Sequence, residues 1–276
     1  MKAFSGYYKP YPSAPVKVTL AEDVDYSEVL FVPKDSRGPR TIVREPYSTL
    51  KTQLGFHDWL KGELERVTQN RVNFVDQQIN RDLARCSSKT RHLSTLDLQS
   101  ASDRVTASIM QRIFLNSPAC RRFLADRTRF AKLPSGKFVQ LNKVAGMGSG
   151  LTFPLMSLLI TLTITRHVCN RTGSPYRRIM RQVYVYGDDI IVPTVYYDLA
   201  IEALGFVNLK VNTGKSYANS HFRESCGGDF YNGQDVAPVR LKLTHSDARA
   251  IPSGTHLQLN DDQWLLDVVS HAKELV

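Results

Sequence analysis

Val183-Tyr184-Val185-Tyr186-Gly187-Asp188-Asp189-Ile190-Ile191-Val192 reads as two short β-prone runs around a tight turn. Glycine in the first turn position suits a hairpin. Two adjacent carboxylates at the tip repel each other, and a divalent cation relieves that repulsion. Mg²⁺ favours a few carboxylates together with phosphate oxygens and water, so a site of this kind expects a nucleotide as co-ligand. Turns also favour Gly and Asp for backbone reasons, and Gly-Asp-Asp arises by chance in about one chain in twenty of this length. The hairpin therefore decides the fold only together with its neighbours.

Upstream, residues 92–98 alternate, with Leu96 and Leu98 on one face and Thr95 and Asp97 on the other. That pattern predicts a half-buried strand with Asp97 pointing off the core. If this strand lies beside the hairpin, Asp97 can share metals with it, and two ions about 3.5–4 Å apart serve both the attacking and the leaving oxygen. Next, Ser102 or Asp103 is expected to cap a helix carrying Val105, Ile109 and Ile113, with Pro118 just beyond its end. Gly146-Met147-Gly148-Ser149-Gly150 reads as a flexible loop. It lacks the dinucleotide and P-loop patterns, and its glycines suit either close approach to a ligand or a plain turn.

Pro154 then opens a buried helix with Leu155, Leu158, Leu159 and Leu162 at helical spacing. The apolar run 151–165 is too short to cross a membrane. Nearer the start, residues 29–44 predict a strand, a basic turn and a second strand. Lys34, Arg37, Arg40 and Arg44 there suit a triphosphate, because arginine forks pair with phosphate oxygens, but a solvated hairpin has the same composition. Residues 47–84 read as mostly helical, with Leu54, Leu60, Leu64 and Val67 near helical spacing. Residues 199–204 read as a helix ended by Gly205, residues 206–243 as short strands and turns, and 261–275 as a last amphipathic helix. Interleaved strands and helices make the class α+β.

The chain holds 36 Lys and Arg against 26 Asp and Glu, a net charge of +10, which points to a polyanionic partner or a generally basic surface. Cys86, Cys120, Cys169 and Cys226 form no C-x-x-C pair, and the seven histidines lack zinc spacing, so free buried thiols in a reducing compartment are expected. Residues 1–15 carry Tyr, Pro and Lys rather than an apolar core and are no secretory signal.

The order of these elements carries more information than any one of them. Basic hairpin, Asp strand, glycine loop with helix, and Gly-Asp-Asp hairpin together resemble the motif series of viral RNA-dependent RNA polymerases. The closer resemblance is to replicases of levivirus-type single-stranded RNA bacteriophages. It rests on Val32-Pro33-Lys34 with Arg40-Thr41-Ile42; Asp97-Leu98 with Ser100 to Asp103; Met147-Gly148 with Gly150, Thr152 and Phe153; and Tyr186 to Ile191. Asn212 with Lys215-Ser216, and Phe222-Arg223-Glu224-Ser225-Cys226-Gly227 followed by Gly233, Asp235-Val236 and Pro238, complete it.

The resemblance implies a right-hand polymerase palm with partial fingers and a truncated thumb. Its parts are an extended N-terminal segment (1–28), partial fingers with the basic hairpin (29–91), the catalytic palm (92–244) and the start of a thumb (245–276). By the same resemblance Asp97 and Asp188 hold two Mg²⁺ ions, or Mn²⁺ in their place, with Asp189 in support. Lys215 is the acid for the leaving pyrophosphate. Asp103 senses the ribose 2′-hydroxyl, Ser149 and Thr152 shape the nucleotide pocket with Gly148, and Lys34 and Arg40, with Arg37 and Arg44 beside them, meet the triphosphate. Gly146, Gly148, Gly150, Arg223, Cys226 and Gly227 are RNA contacts, the last three in a turn beneath the primer end.

The implied partners are template and product RNA, NTPs and host translation factors, with no membrane, in the cytoplasm of an infected bacterium. Two departures stand out: Asp103 follows Asp97 by six residues, one more than in many viral polymerases, and Ser149 replaces an expected Asn. A reverse transcriptase shares the palm, but Gly187 and Asp103 favour ribonucleotides. A truncated RNA-binding module without turnover is the rival from another class. Since the chain stops where a thumb would begin, the helix at 261–275 is expected to leave Trp264, Leu265, Val268 and Val269 exposed and extension to be short and distributive.

Overall fold

The computed structural model describes residues 17–18, 25–35, 38–113 and 117–238, and up to Ala237 they belong to one compact unit. The expectations for Arg37, for the N-terminal segment up to 16 and for the helix at 261–275 lie outside the described residues, as do the side chains of Lys34 and Cys120.

The basic hairpin forms as strands β2 (Tyr26–Asp35) and β3 (Gly38–Arg44), antiparallel with Leu30 opposite Ile42. They join β1 (Lys17–Val18), β5 (Phe130–Lys132) and β6 (Phe138–Gln140) in the order β1-β6-β5-β2-β3. The predicted helical stretch 47–84 is broken: α1 (Tyr47–Thr68) and α2 (Gln78–Thr90) flank a turn where Gln69 and Asn70 adopt left-handed backbone. Within α1, Leu60 and Leu64 are buried but Leu54 and Val67 are exposed. The buried stripe is Gln53, Leu60, Leu64 and Thr68, spaced at seven, four and four residues, so two polar side chains occupy core positions.

Strand β4 (Leu93–Leu96) is buried on both faces, not one. It pairs antiparallel with β8 (Asp189–Pro193), which pairs with β7 (Tyr184–Tyr186). Neighbouring α2 and β9 (Phe222–Ser225) pack on β4, which leaves neither of its faces to water, while the ends of β7 and β8 stay half-buried. The helix expected after Asp97 is divided into α3 (Ala101–Arg104) and α4 (Ala107–Ile113), because Val105 is extended. Neither Ser102 nor Asp103 is a cap; the Ile109 N–H donates to Thr106 Oγ1 at 3.2 Å. Pro118 starts α5 (Pro118–Ala125).

Helix α6 (Thr152–Thr172) is the core helix, with Leu155, Leu159, Ile160, Ile164 and Val168 fully buried. It runs past Arg166, so by length and composition it could cross a membrane, contrary to the shorter run read from the sequence. Its apolar surface is instead spent on α7 (Tyr176–Met180), β7 and α8 (Tyr197–Phe206). Beyond α8, β9 (Phe222–Ser225), β10 (Gly228–Tyr231) and β11 (Gln234–Asp235) form a small antiparallel sheet against α2. Free thiols are not all buried: Cys226 is, Cys169 is half-buried and Cys86 is exposed.

Candidate active site

Leu96 of β4 stands opposite Ile190 of β8, so the antiparallel register carries Asp97 to the place across from Asp189, beside the hairpin tip. Asp97 is held from its other side. Its amide donates to Ser216 Oγ (3.1 Å), its carbonyl accepts from the Asn212 amide (2.8 Å), and Asn212 Nδ2 donates to Asp97 Oδ2 (2.8 Å). At the tip, Gly187 has φ +64° and a Cβ there would sit 2.3 Å from the Phe153 ring, so only glycine lets α6 approach the turn so closely. Asp189 Oδ1 accepts the Cys226 N–H at 3.0 Å and the Ser225 hydroxyl at 3.3 Å. Cys226 reaches it from left-handed backbone, φ +50°.

Burial pushes the Asp189 carboxyl up to about 6; the Cys226 N–H opposes this, while Asp188 and Asp97 add to it. Burial also raises Asp97. The Asn212 bond and Lys215 pull it back, and Asp188 and Glu224 push it further. Lys215 Nζ is paired with Glu224 at 2.9 Å. Asp188 thus acts on both Asp97 and Asp189, and Asp97 acts on Asp189. Among the described residues, no three acidic, His or Cys side chains stand close enough to hold a metal as they are. Hard oxygen donors in mutual repulsion still fit Mg²⁺, which is commonly held by one or two carboxylates with phosphates and water rather than by an all-protein cage.

Several predicted ligand contacts prove to be internal supports. Arg223 is fully buried and cannot reach RNA. Its Nε donates to Leu93 O (2.8 Å), Nη1 to Ser220 O and Phe222 O (2.7 Å each) and Nη2 to Ala218 O (2.7 Å). Cys226 is buried as well, and only Gly227 of that turn is open, with nothing within 4 Å of where a Cβ would stand. Ser149 is buried with its hydroxyl on Gln53 Oε1 (2.8 Å), and Thr152 Oγ1 donates to Gly146 O, so neither hydroxyl is presented to a nucleotide.

The glycine loop is packed rather than flexible. A Cβ on Gly146 would meet the Val43 side chain at 2.4 Å, one on Gly148 the Val43 carbonyl oxygen at 2.5 Å, and one on Gly150 the Gln53 backbone at 3.3 Å. Gly148 also has φ +109°. Gly148→Ala is therefore expected to cost about 1–3 kcal/mol, read as a fall in the urea midpoint; an unchanged midpoint would mean the loop yields freely.

Asp103 is exposed and paired with Lys143 at 2.7 Å. Arg40 and Arg44, four apart on β3, share a face, and Arg44 is paired with Glu28. Sequence reasoning missed Gln53, and it placed Glu224 in the 222–227 motif without its pairing to Lys215. Gln53 ties α1 to the glycine loop through Ser149 and the Gly150 amide, and to Asp126 O at 2.9 Å. Its place in the α1 core stripe was the available signal. A cleft of about 530 Å³, lined by Asp25, Thr52, Arg127 and Arg129 among others, shares no residue with the aspartate corner.

A family model for the RNA replicase beta-chain matches residues 9–251. The chain belongs to the RNA replicase beta-chain family. It is 32% identical over 226 residues to the RNA-directed RNA polymerase subunit beta of Escherichia virus Qbeta, covering 82% of this chain and 37% of that protein. Identity to the corresponding subunit of Qbeta virus strain MX1 is 33% over 218 residues, covering 79% and 36%. For the RNA-directed RNA polymerase beta chain of Escherichia phage MS2 it is 31% over 217, covering 78% and 37%. The chain spans little more than a third of the length of these relatives. Among solved structures, the RNA-dependent RNA polymerase of a human picorbirnavirus superposes with a TM-score of 0.50 at 12% identity, over 75% of this chain and 43% of that one. This replicase-family chain accordingly shares the mixed helix-and-sheet fold of a polymerase.

Proposed function

We propose that this chain carries the catalytic core of RNA-directed RNA synthesis in the replication of an RNA phage. The observation that carries the reading is the corner of Asp97, Asp188 and Asp189, three carboxylates gathered where β4 ends beside the β7–β8 turn. In this reading residues 92–244 are the palm, 29–91 part of the fingers, and 245–276 the start of a thumb. Asp97 and Asp188 would hold two Mg²⁺ ions, or Mn²⁺, and the chemistry these would supply is activation of a 3′-hydroxyl and charge stabilisation of the leaving pyrophosphate. Asp189, clamped by the Cys226 amide, braces the tip. Lys215 gives a proton to pyrophosphate, with Glu224 holding it beside Asp97. Asp103 reads the ribose, and Lys34, Arg37, Arg40 and Arg44 meet the triphosphate. Arg223, Ser149 and Thr152 shape the site from within. Template RNA, product RNA and NTPs are the substrates, host translation factors the partners, and the host cytoplasm the setting.

Incorporation of NTPs on a defined RNA template, with and without Mg²⁺, tests the whole reading; no incorporation with Mg²⁺ present would count against it. A second test needs no turnover. Because the folded Asp189 carboxyl is raised from 3.8 to about 6, its share of stability is present below about 4 and lost as pH rises through 6. Mg²⁺ or Mn²⁺ should reverse that loss above pH 6, raising the thermal midpoint in the wild type but not in Asp188→Asn. An equal shift in both would place the ion elsewhere.

The basic β2–β3 face gives a further expectation. Replacing Arg40 and Arg44 with Gln should raise the apparent KM for NTP several-fold while leaving kcat close to the wild-type value, since a phosphate contact made equally before and during the reaction affects binding alone. An unchanged KM would make the hairpin a solvated loop.

A further inference from the structure

We propose that the surface formed by the end of α6, by α7 and by Arg71 is a second binding surface for the phosphate backbone of RNA, apart from the aspartate corner. The charge is unevenly placed along the chain. Residues 127–187 contain ten Lys and Arg and no Asp or Glu, which equals the net charge of +10; the rest of the chain balances 26 against 26.

Part of that excess is gathered in one place. Arg166, Arg177, Arg178 and Arg181 are exposed, and Arg71 joins them: its Nε donates to Arg181 O (3.4 Å), its Nη1 to Gln69 O (2.7 Å), and its guanidinium lies 5.8 Å from the Tyr184 ring centroid. Helix α6 packs against α7, which follows it after three residues, and Arg166 lies in the last two turns of α6. Among the described residues, none of these five arginines has an acidic partner within ion-pairing distance.

The surface stands at the opposite end of β7 from the catalytic tip. Val72 bridges Val185 in parallel, the Val185 amide donates to Arg71 O (2.8 Å), and Gln77 Nε2 reaches the Tyr186 hydroxyl (3.3 Å). Residues 71–77 therefore run alongside β7 in the same direction, with Arg71 at its start and the aspartates at its end, about 10 Å of strand away.

Clustered cations without counter-charge repel one another, and a polyanion that displaces their counterions removes that cost. Five arginines and no lysine suit phosphate, since each planar fork can grip two oxygens, and such contacts position a strand without reading its bases. The choice of RNA among polyanions rests on the polymerase reading above.

The test is the triple variant Arg177→Gln, Arg178→Gln, Arg181→Gln, with binding of a single-stranded RNA oligonucleotide followed by fluorescence anisotropy over a salt series. Each lost phosphate contact on a single strand removes about 0.7 from the slope of log K against log salt, so the slope should fall by about 2 and low-salt affinity by more than tenfold. Arg177→Lys, Arg178→Lys, Arg181→Lys should keep most of the slope, and the circular dichroism and thermal midpoint of each variant report folding. Incorporation on a short, pre-bound template should be unchanged. An unchanged slope, or an acidic peptide that binds the wild type and is not displaced by RNA, overturns the proposal. A wild-type chain that incorporates no NTP while the slope still falls would instead sink the polymerase reading and leave the surface standing.

Discussion

Asp188→Asn is expected to abolish nucleotide incorporation while leaving RNA binding nearly intact. Asp188 sits at the turn between β7 and β8 and contributes charge to both Asp97 and Asp189. The amide keeps the shape of the side chain and removes the charge that would hold a divalent ion. In a reaction whose barrier is lowered mainly by positioned charge, losing such a group costs at least about a thousandfold in rate. Removing that charge relieves its repulsion of both Asp97 and Asp189 and should at the same time leave the metal-free fold no less stable. Single-turnover incorporation with excess Mg²⁺, paired with a filter-binding measurement of RNA affinity, separates the two effects. A variant that kept more than a tenth of the wild-type rate would remove Asp188 from the chemistry.

The second large effect belongs to a residue with no part in chemistry. Arg223→Met should destabilise the fold by about 3–5 kcal/mol, enough to deplete soluble protein. The guanidinium is wholly enclosed, and it closes four backbone carbonyls, at Leu93, Ala218, Ser220 and Phe222, that water cannot reach in its place. Burial holds its pKa below the usual arginine value, so the charge is already costly and is kept only by those bonds. Lysine would not substitute, because one ammonium cannot span carbonyls on both β4 and the 218–222 turn. Since that turn leads to the Cys226 amide on Asp189, partial unfolding here should also loosen the hairpin tip. The urea midpoint of Arg223→Met and Arg223→Lys measures this; a loss under about 1 kcal/mol would show that water satisfies the carbonyls.

Both cases show where the sequence was legible. The β-prone runs around Gly187-Asp188 could form little but a hairpin, since alternating apolar side chains and a glycine turn leave few other local structures. The Leu155–Leu159 spacing likewise fixed a buried helix. Motif order set Asp97 beside the hairpin, where the register of β4 on β8 carries it. These are local properties: backbone preference, periodicity and the chemistry of single side chains.

What only the tertiary structure decided is how polar groups are shared out. Arg223, Ser149 and Thr152 carry the same groups whether they face a ligand or a carbonyl, and nothing in their spacing distinguishes the two. Burial distinguishes them, because an enclosed donor must find its partner inside the protein. The same holds for the glycines at 146, 148 and 150, whose missing Cβ atoms make room for Val43 and Gln53 on other elements rather than for a ligand. The half-buried strand at Asp97 became a fully buried one because neighbours covered its second face, which no alternation within seven residues can report. Local sequence set the elements and the reactive groups; long-range packing, where desolvation outweighs local preference, set which of those groups remain available to substrate.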